Sequence, residues 1–197
     1  MDLPQTRFLE TRIQMPLLEL PVRSVVLELS NARILFSPGS RLTPEHHRDA
    51  GAITDIVAPA LLHTAGMARA AEAHPQARLW GPEGAREKLP TLRWHGILGQ
   101  NPWPYEEELA RIPLRGMPAV NENVFLHRAT RTLYVTDLVF HITDPEGVGA
   151  ALFYRLFGTY RRFAVSRLFL MYAKDRAALA ASAADPAELD FVNVVPT

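Results

Sequence analysis

Residues 53–66 read Ile53-Thr54-Asp55-Ile56-Val57-Ala58-Pro59-Ala60-Leu61-Leu62-His63-Thr64-Ala65-Gly66. The apolar, β-branched start predicts a strand ending over Asp55 to Ala58. The Ala-rich run that follows predicts a helix over His63 to Ala73. In layered α/β folds the junction between such elements is where site side chains gather. Here the junction is almost bare of them. His63 carries a lone pair for a metal or a proton, whereas Ala58, Ala60 and Leu62 carry none.

Outward from this junction the elements alternate. Ser24 to Leu29 and Arg33 to Phe36 read as strands joined by the short turn Ser30-Asn31-Ala32, which predicts a hairpin. Ser37-Pro38-Gly39 breaks the pattern. Thr43 then caps a short helix with Pro44 at its first position. Ala77 to Trp80 reads as a strand, and Gly81-Pro82-Glu83 leads into a short helix ending at Lys88. Leu89 to Glu106 shows no period and holds two of the chain's three tryptophans. It is expected to be an ordered loop packed by aromatics, of the kind that overhangs a site. Strands follow at Leu109 to Leu114, Asn123 to Leu126 and Leu133 to Thr136, the last two flanking a turn at Arg128 to Arg131. Helices dominate from about residue 148 to 184, and Asp190 to Pro196 closes the chain as a strand.

The chain has 197 residues, with 48% hydrophobic and 21% charged, which suits one globular domain. Twenty-one basic and 21 acidic residues cancel, so no overall field draws nucleic acid. The absence of cysteine excludes disulfides, thiolate ligands and a cysteine nucleophile. Any metal would sit on His, Asp or Glu. Residues 1–14 interleave charged and apolar side chains, unlike a secretory signal. No apolar run approaches the roughly 20 residues of a membrane span. A cytoplasmic location is the default expectation.

The order of elements resembles the αββα sandwich of the metallo-β-lactamase-like superfamily over about residues 24–197, with a helical insertion at about 148–184 in a single domain, 1–197. Arg33 to Gly39 resembles that fold's second strand and turn, with Ser37 where Asp is usual. Thr132 to Leu138 resembles the strand ending in Gly-Asp, whose Asp often bridges two metals. Asp190 to Thr197 resembles the strand before a terminal Pro-x-His-Gly ligand, and the chain stops just short of that His. Laid over the superfamily motif His-x-His-x-Asp-His, His63 takes the last His, and Ala58, Ala60 and Leu62 take the other ligand positions.

The chain is more similar to an uncharacterised subgroup of bacteria and plants that has lost this motif. The subgroup carries Ala-Pro-Asn-x-x-His-His, of which Ala58, Pro59 and His63 remain. It also carries Glu-x-Val-Phe-x-His-x-x-Ser-x-Thr-Leu-x-x-Thr-Asp, matched by Glu122, Val124, Phe125, His127, Thr132, Leu133 and Asp137. No activity comes with the subgroup. The resemblance implies that a dinuclear centre is absent.

With Arg128 to Arg131 as a turn, Glu122 lies across from Asp137, at the edge that His63 occupies. One imidazole and two carboxylates suit a single divalent Zn, Mn or Fe ion with open positions for water. His63, Glu122 and Asp137 are therefore the candidate metal ligands, with Asp137 and His63 the candidate catalytic pair. The plainer alternative makes His63 a helix cap, Asp137 a turn residue and Glu122 a strand end. His141 and Asp144 lie at the possible site edge. Ser37 joins them, and qualifies as a nucleophile only if His63 lies within hydrogen-bond reach. His127, about 17 Å along its strand from Glu122, is expected to bond its own turn. His46 and His47 face different ways on one helix, and His74 and His95 show no partner in the sequence.

From Gly147 to Lys174 there is no acidic residue, while five are basic and seven aromatic. Such a segment covers a sheet with its aromatics inward, adsorbs to an anionic membrane surface, or forms a homodimer contact. Two function classes stay open. One is a divergent hydrolase with a reduced mononuclear metal site and an unknown small-molecule substrate. The other is a non-catalytic binding or scaffold protein that kept the fold and lost the metal centre.

Overall fold

The computed structural model describes residues 3–15, 18–142, 149–187 and 189–197. Its first sheet runs in the order β1 (Thr6–Met15), β2 (Leu18–Glu28), β3 (Arg33–Phe36), β4 (Asp55–Val57), β5 (Arg78–Gly81) and β6 (Trp94–Ile97). β1, β2 and β3 pair antiparallel, and the β3 to β6 pairs are parallel. The second sheet is built from β7 (Leu109–Pro113), β8 (Asn123–His127) and β9 (Thr132–Val135) as an antiparallel meander. A short ribbon, β10 (Phe140–His141) with β11 (Phe163–Ala164), stands apart. β12 (Asn193–Pro196) returns to the second sheet, parallel to β9.

Alternation along these strands builds four layers. Successive side chains point to opposite faces, and both faces are apolar here. Val25, Ile34, Phe36, Val57 and Trp80 meet Phe125, Tyr134 and Val195 in the core between the sheets. Phe36 contacts Phe125 edge-on, with ring centroids 5.0 Å apart. The intervening Val26, Leu35 and Ile56 pack outward against α1 (Pro44–Ala50) and α2 (Met67–Ala73) through Ala50, Met67 and Ala70. Val124, Leu126, Leu133 and Val135 likewise meet Phe169 and Leu179. A further short helix, α3 (Ala85–Lys88), follows β5. Phe169 and Leu179 belong to α5 (Arg167–Leu170) and α6 (Arg176–Ala187), which follow α4 (Ala150–Leu156). The expected α/β/β/α layering is the observed one.

Several boundaries differ from the sequence reading. The N-terminal segment is a long hairpin, β1 with β2, rather than unpatterned chain. The helix expected from His63 begins only at Met67, after a 3₁₀ turn over Leu61–His63 that Thr64 Oγ1 closes onto the Leu61 carbonyl. Gly66 explains the break. A Cβ there would lie 2.0 Å from the Pro38 carbonyl oxygen, so the chain passes at backbone contact. Leu89 to Glu106 contains β6, and its Trp103 and Tyr105 pack into the core between the sheets. The 148–184 segment is three helices with β11 between them.

One buried charge organises the end of the first sheet opposite the site. Asp55 is fully buried and accepts from Arg78 Nε (2.9 Å), Trp80 Nε1 (2.8 Å), Tyr105 Oη (2.5 Å) and Thr54 Oγ1 (2.8 Å). Burial alone would push this carboxyl up, but hydrogen bonds from Arg78, Tyr105, Trp80 and Thr54 outweigh it and hold it below its ordinary value. Burial, with the bond to Asp55, pushes Tyr105 up to about 12. Asp55→Ala leaves the indole and phenol donors buried and unpaired. It is expected to destabilise the chain by about 3 kcal/mol or more in urea denaturation, whereas Tyr105→Phe costs about 1 kcal/mol.

Candidate functional site

The parallel strands β3 and β4 end side by side, at Phe36 and Val57. Ser37 follows β3 in the left-handed backbone region, φ 49°, with its N–H donated to the Val57 carbonyl. A serine there is strained, and such strain concentrates at functional positions. After β4 the chain runs through Ala58 to Ala60 into the 3₁₀ turn that presents His63. Backbone bonds from Leu61 N to Val120 O (2.7 Å) and from Asn123 N to Pro59 O (2.8 Å) tie this segment to the start of β8. They carry Glu122 to the same edge. The β8–β9 register, Phe125 opposite Tyr134 and His127 opposite Thr132, extends to place Glu122 opposite Asp137.

Four side chains meet there. Ser37 Oγ lies 2.6 Å from His63 Nδ1, and His63 Nε2 lies 3.5 Å from Asp137 Oδ1. Glu122 Oε1 accepts the Thr136 N–H at 2.7 Å. Glu122 Oε2 and Asp137 Oδ2 are buried without a hydrogen-bond partner among the described residues. Burial first, then the charge of Asp137, pushes the Glu122 carboxyl up to about 7. Exposure falls from His63 (side chain 18%) and Asp137 (13%) to Ser37 and Glu122, which are buried at 2% and 1%. Solvent thus reaches the imidazole–Asp137 side and not the serine.

The other candidates lie elsewhere. His127 sits at the far end of β8 and bonds Thr130 Oγ1 in its own turn at 2.8 Å. His141 packs edge-on against Phe163. Asp144 lies outside the described residues. His46 caps its own helix through Thr43. His74, unpartnered in the sequence reading, meets His47 at 3.2 Å, and His95 packs on Trp80. Ala58 and Ala60 are wholly buried in the outer cores, while Leu62 points outward. A narrow apolar seam beside Thr136 and Thr197 is lined by Phe36, Pro59, Phe125, Tyr134 and Val135 and has no room for a water molecule. The larger cavity, about 430 Å³, touches Arg33 at the opposite end of β3.

No protein-family model matches the chain, and no curated protein matches it in sequence. Solved structures do match. The metal-soaked flavodiiron core of Synechocystis superposes over 99% of this chain, with a TM-score of 0.69 and 11% identity. The chain spans about half of that structure, 54%. A metallo-β-lactamase from Pontibacter korlensis superposes over 90% of this chain and 95% of its own, with a TM-score of 0.59 and 10% identity. A β-lactamase domain protein from Burkholderia ambifaria gives 0.56 and 12%, over 98% of this chain and 65% of its own. The chain has the metallo-β-lactamase fold.

In this metallo-β-lactamase-fold chain the donors available to a resident metal ion are His63, Glu122 and Asp137. Among the described residues no group of three or more His, Asp or Glu side chains is arranged to hold one. His63 Nδ1 is engaged by Ser37, and Glu122 Oε1 by the Thr136 amide. The orphaned Glu122 Oε2 is the natural seat of a proton, given that carboxyl's raised pKa. His63 Nε2 and Asp137 Oδ1 face each other at 3.5 Å, and Glu122 would join them on one ion only by giving up that proton.

The same raised pKa has a thermodynamic consequence. Folded Glu122 holds a proton up to about pH 7, whereas the unfolded carboxyl releases it near its ordinary value of 4.5. Its contribution is therefore complete below about pH 4.5 and is lost as pH rises through about 7. Wild-type stability is expected to fall by about 3 kcal/mol from this group between those limits. Glu122→Gln keeps the bond to Thr136 and should remove that slope, which urea denaturation at pH 5 and pH 8 measures.

Proposed function

We propose that the chain is a hydrolase in which the His63–Asp137 pair activates water against a neutral carbonyl compound, an ester or a lactone. The observation that carries this reading is the bracketed imidazole, with Ser37 on one ring nitrogen and Asp137 beside the other. At 3.5 Å, Nε2 is too far from Oδ1 to be donating to it. The proton is therefore assigned to Nδ1, which donates to Ser37 Oγ and leaves the Nε2 lone pair facing the accessible side. A water resting beside both Nε2 and Asp137 would pass one proton to the imidazole as its oxygen attacks the carbonyl carbon, and the imidazolium would return that proton to the leaving alkoxide as the acyl–oxygen bond breaks. The neighbouring carboxylate then balances the imidazolium. Ser37 acts as a positioning residue, since its burial withholds it from substrate.

Electrostatics narrow the substrate class. None of the described bonds or ion pairs of His63, Glu122 and Asp137 comes from Arg or Lys. An anionic phosphodiester would meet the Asp137 carboxylate, with Lys88, bonded to the Leu61 carbonyl, as a cation on the same turn, whereas a neutral ester or lactone would meet no like charge.

A chromogenic short-chain ester and a simple lactone, assayed with chelator present, test the proposal. Wild type is expected to turn over at least one of them. His63→Gln should lower kcat about 100-fold or more, and Asp137→Asn about tenfold or more. Ser37→Ala should cost less, and an active-site serine label should not attach. Zn, Mn or Fe uptake near one per chain, lost in Asp137→Asn together with activity, would replace this route with a mononuclear metal at the same edge. Absence of turnover with and without added metal would leave the fold as a binding scaffold.

A further inference from the structure

Nine large apolar side chains are exposed among the described residues, and seven of them fall between Leu152 and Tyr172. They are concentrated far beyond the scatter of single surface hydrophobics that any protein shows. On α4, Ala150 and Tyr154 face inward while Leu152 and Leu156 are 72% and 63% exposed, so the helix presents an apolar outer stripe. α5 adjoins its end, since Arg167 N bonds the Phe157 carbonyl and the Arg167 guanidinium bonds the Leu156 carbonyl. Met171, at 75%, follows α5 directly. Arg155, Arg161, Arg162, Arg167 and Lys174 all lie exposed among these residues, and no acidic residue falls between Gly147 and Lys174. The aromatics are thus not all turned inward, since Phe163 is 55% exposed.

We propose that this face is a peripheral docking surface for an anionic lipid bilayer. Exposed Leu, Met and Phe side chains enter the headgroup–acyl boundary, and the surrounding cations pair with lipid phosphates. Arg155 and Arg161 lie against the Tyr160 ring, at 4.5 and 5.5 Å from its centroid, an amphipathic pairing suited to that boundary. Charge selects this occupant over a second copy of the chain. A two-fold contact sets a surface against itself, and five cations would face five cations with no acid from the same segment to separate them. Among the described residues no helix is long and apolar enough to cross a membrane, so the contact is a surface one.

The test is co-sedimentation of the full chain with vesicles of phosphatidylcholine alone or with about one third phosphatidylglycerol. Binding is expected only to the anionic vesicles, weakening as salt rises. Arg162→Glu with Arg167→Glu should lower the partition coefficient at least tenfold, since each surface cation counts for roughly fivefold. Leu152→Ser with Met171→Ser should lower it comparably at constant charge, with circular dichroism confirming the fold of both variants. Equal binding to neutral vesicles, or binding to neither, overturns the proposal. So does concentration-dependent dimerisation that the Leu152/Met171 variant abolishes, or binding of a single-stranded oligonucleotide while anionic vesicles stay unbound.

Discussion

A single desolvated carboxylate fixes the frame on which everything else is mounted. Asp55 stands at the first position of the central strand β4, with no exposed surface. A charge so placed is tolerated only with its donors in position. Those donors come from β5 and from the loop after β6, so the charge selects one arrangement of three neighbouring segments. Arg78 and Trp80 are alternate residues of β5, which puts both side chains on the same face. The Trp80 ring then meets Trp103, and Trp103 meets Phe125 of the second sheet, at 5.2 and 5.5 Å. Clamping the β4 N-terminus thus also sets the spacing between the sheets. At the other end of β4, two residues away, the strand delivers the segment that carries His63.

The site is assembled from places where the backbone departs from regular structure. Ser37 and Asn121 both have positive φ, at 49° and 47°, and each adjoins or supplies a site residue. Neither is glycine, so the surrounding bonds must hold the conformation. Ser37 is held by its N–H to Val57 and its Oγ to His63; Asn121 is held by its N–H to the Met117 carbonyl and its side chain to Glu83. Gly66 closes the arrangement by letting the Pro38 carbonyl approach where any side chain would collide. The imidazole is therefore oriented by backbone constraint, without any metal in the argument.

Much of this was legible in the sequence, and the failures have physical causes. The β8–β9 hairpin and its register follow from two short apolar runs flanking the turn at Arg128 to Arg131, and that register alone sets Glu122 opposite Asp137. Thr43 and Pro44 mark α1 because capping chemistry is local. β1 and the part of β2 before Ser24 escape notice because most of their outer residues are polar and Pro21 interrupts the second strand. Their pairing is marked instead by cross-strand ions such as Arg23 with Glu10, which no single strand reveals. β6 escapes because its pattern serves a neighbour. A Cβ on Gly96 would lie 2.2 Å from the Trp80 ring, so the glycine that breaks the strand signal is there to admit the indole. The Asp55 network could not be read, since its donors lie between 1 and 50 positions away in the chain.

The alanines of the opening segment explain why the site took this form. Ala58 belongs to the core shared with α2, and Ala60 to the core beneath the second sheet. Both are fully buried, so the volume that polar side chains would need is already occupied by packed neighbours. Restoring an imidazole at either position would overpack a core and add a polar group there without an assured partner. Polar chemistry at this edge is consequently confined to residues supplied by other strand ends. Those are Ser37 after β3, Glu122 before β8 and Asp137 after β9, converging on one histidine. Two carboxylates so close, one of them wholly buried, cannot both discard their protons cheaply. The buried Glu122 carboxyl keeps its proton more readily, and Asp137, at the more exposed position, is the acid that stands beside the imidazole.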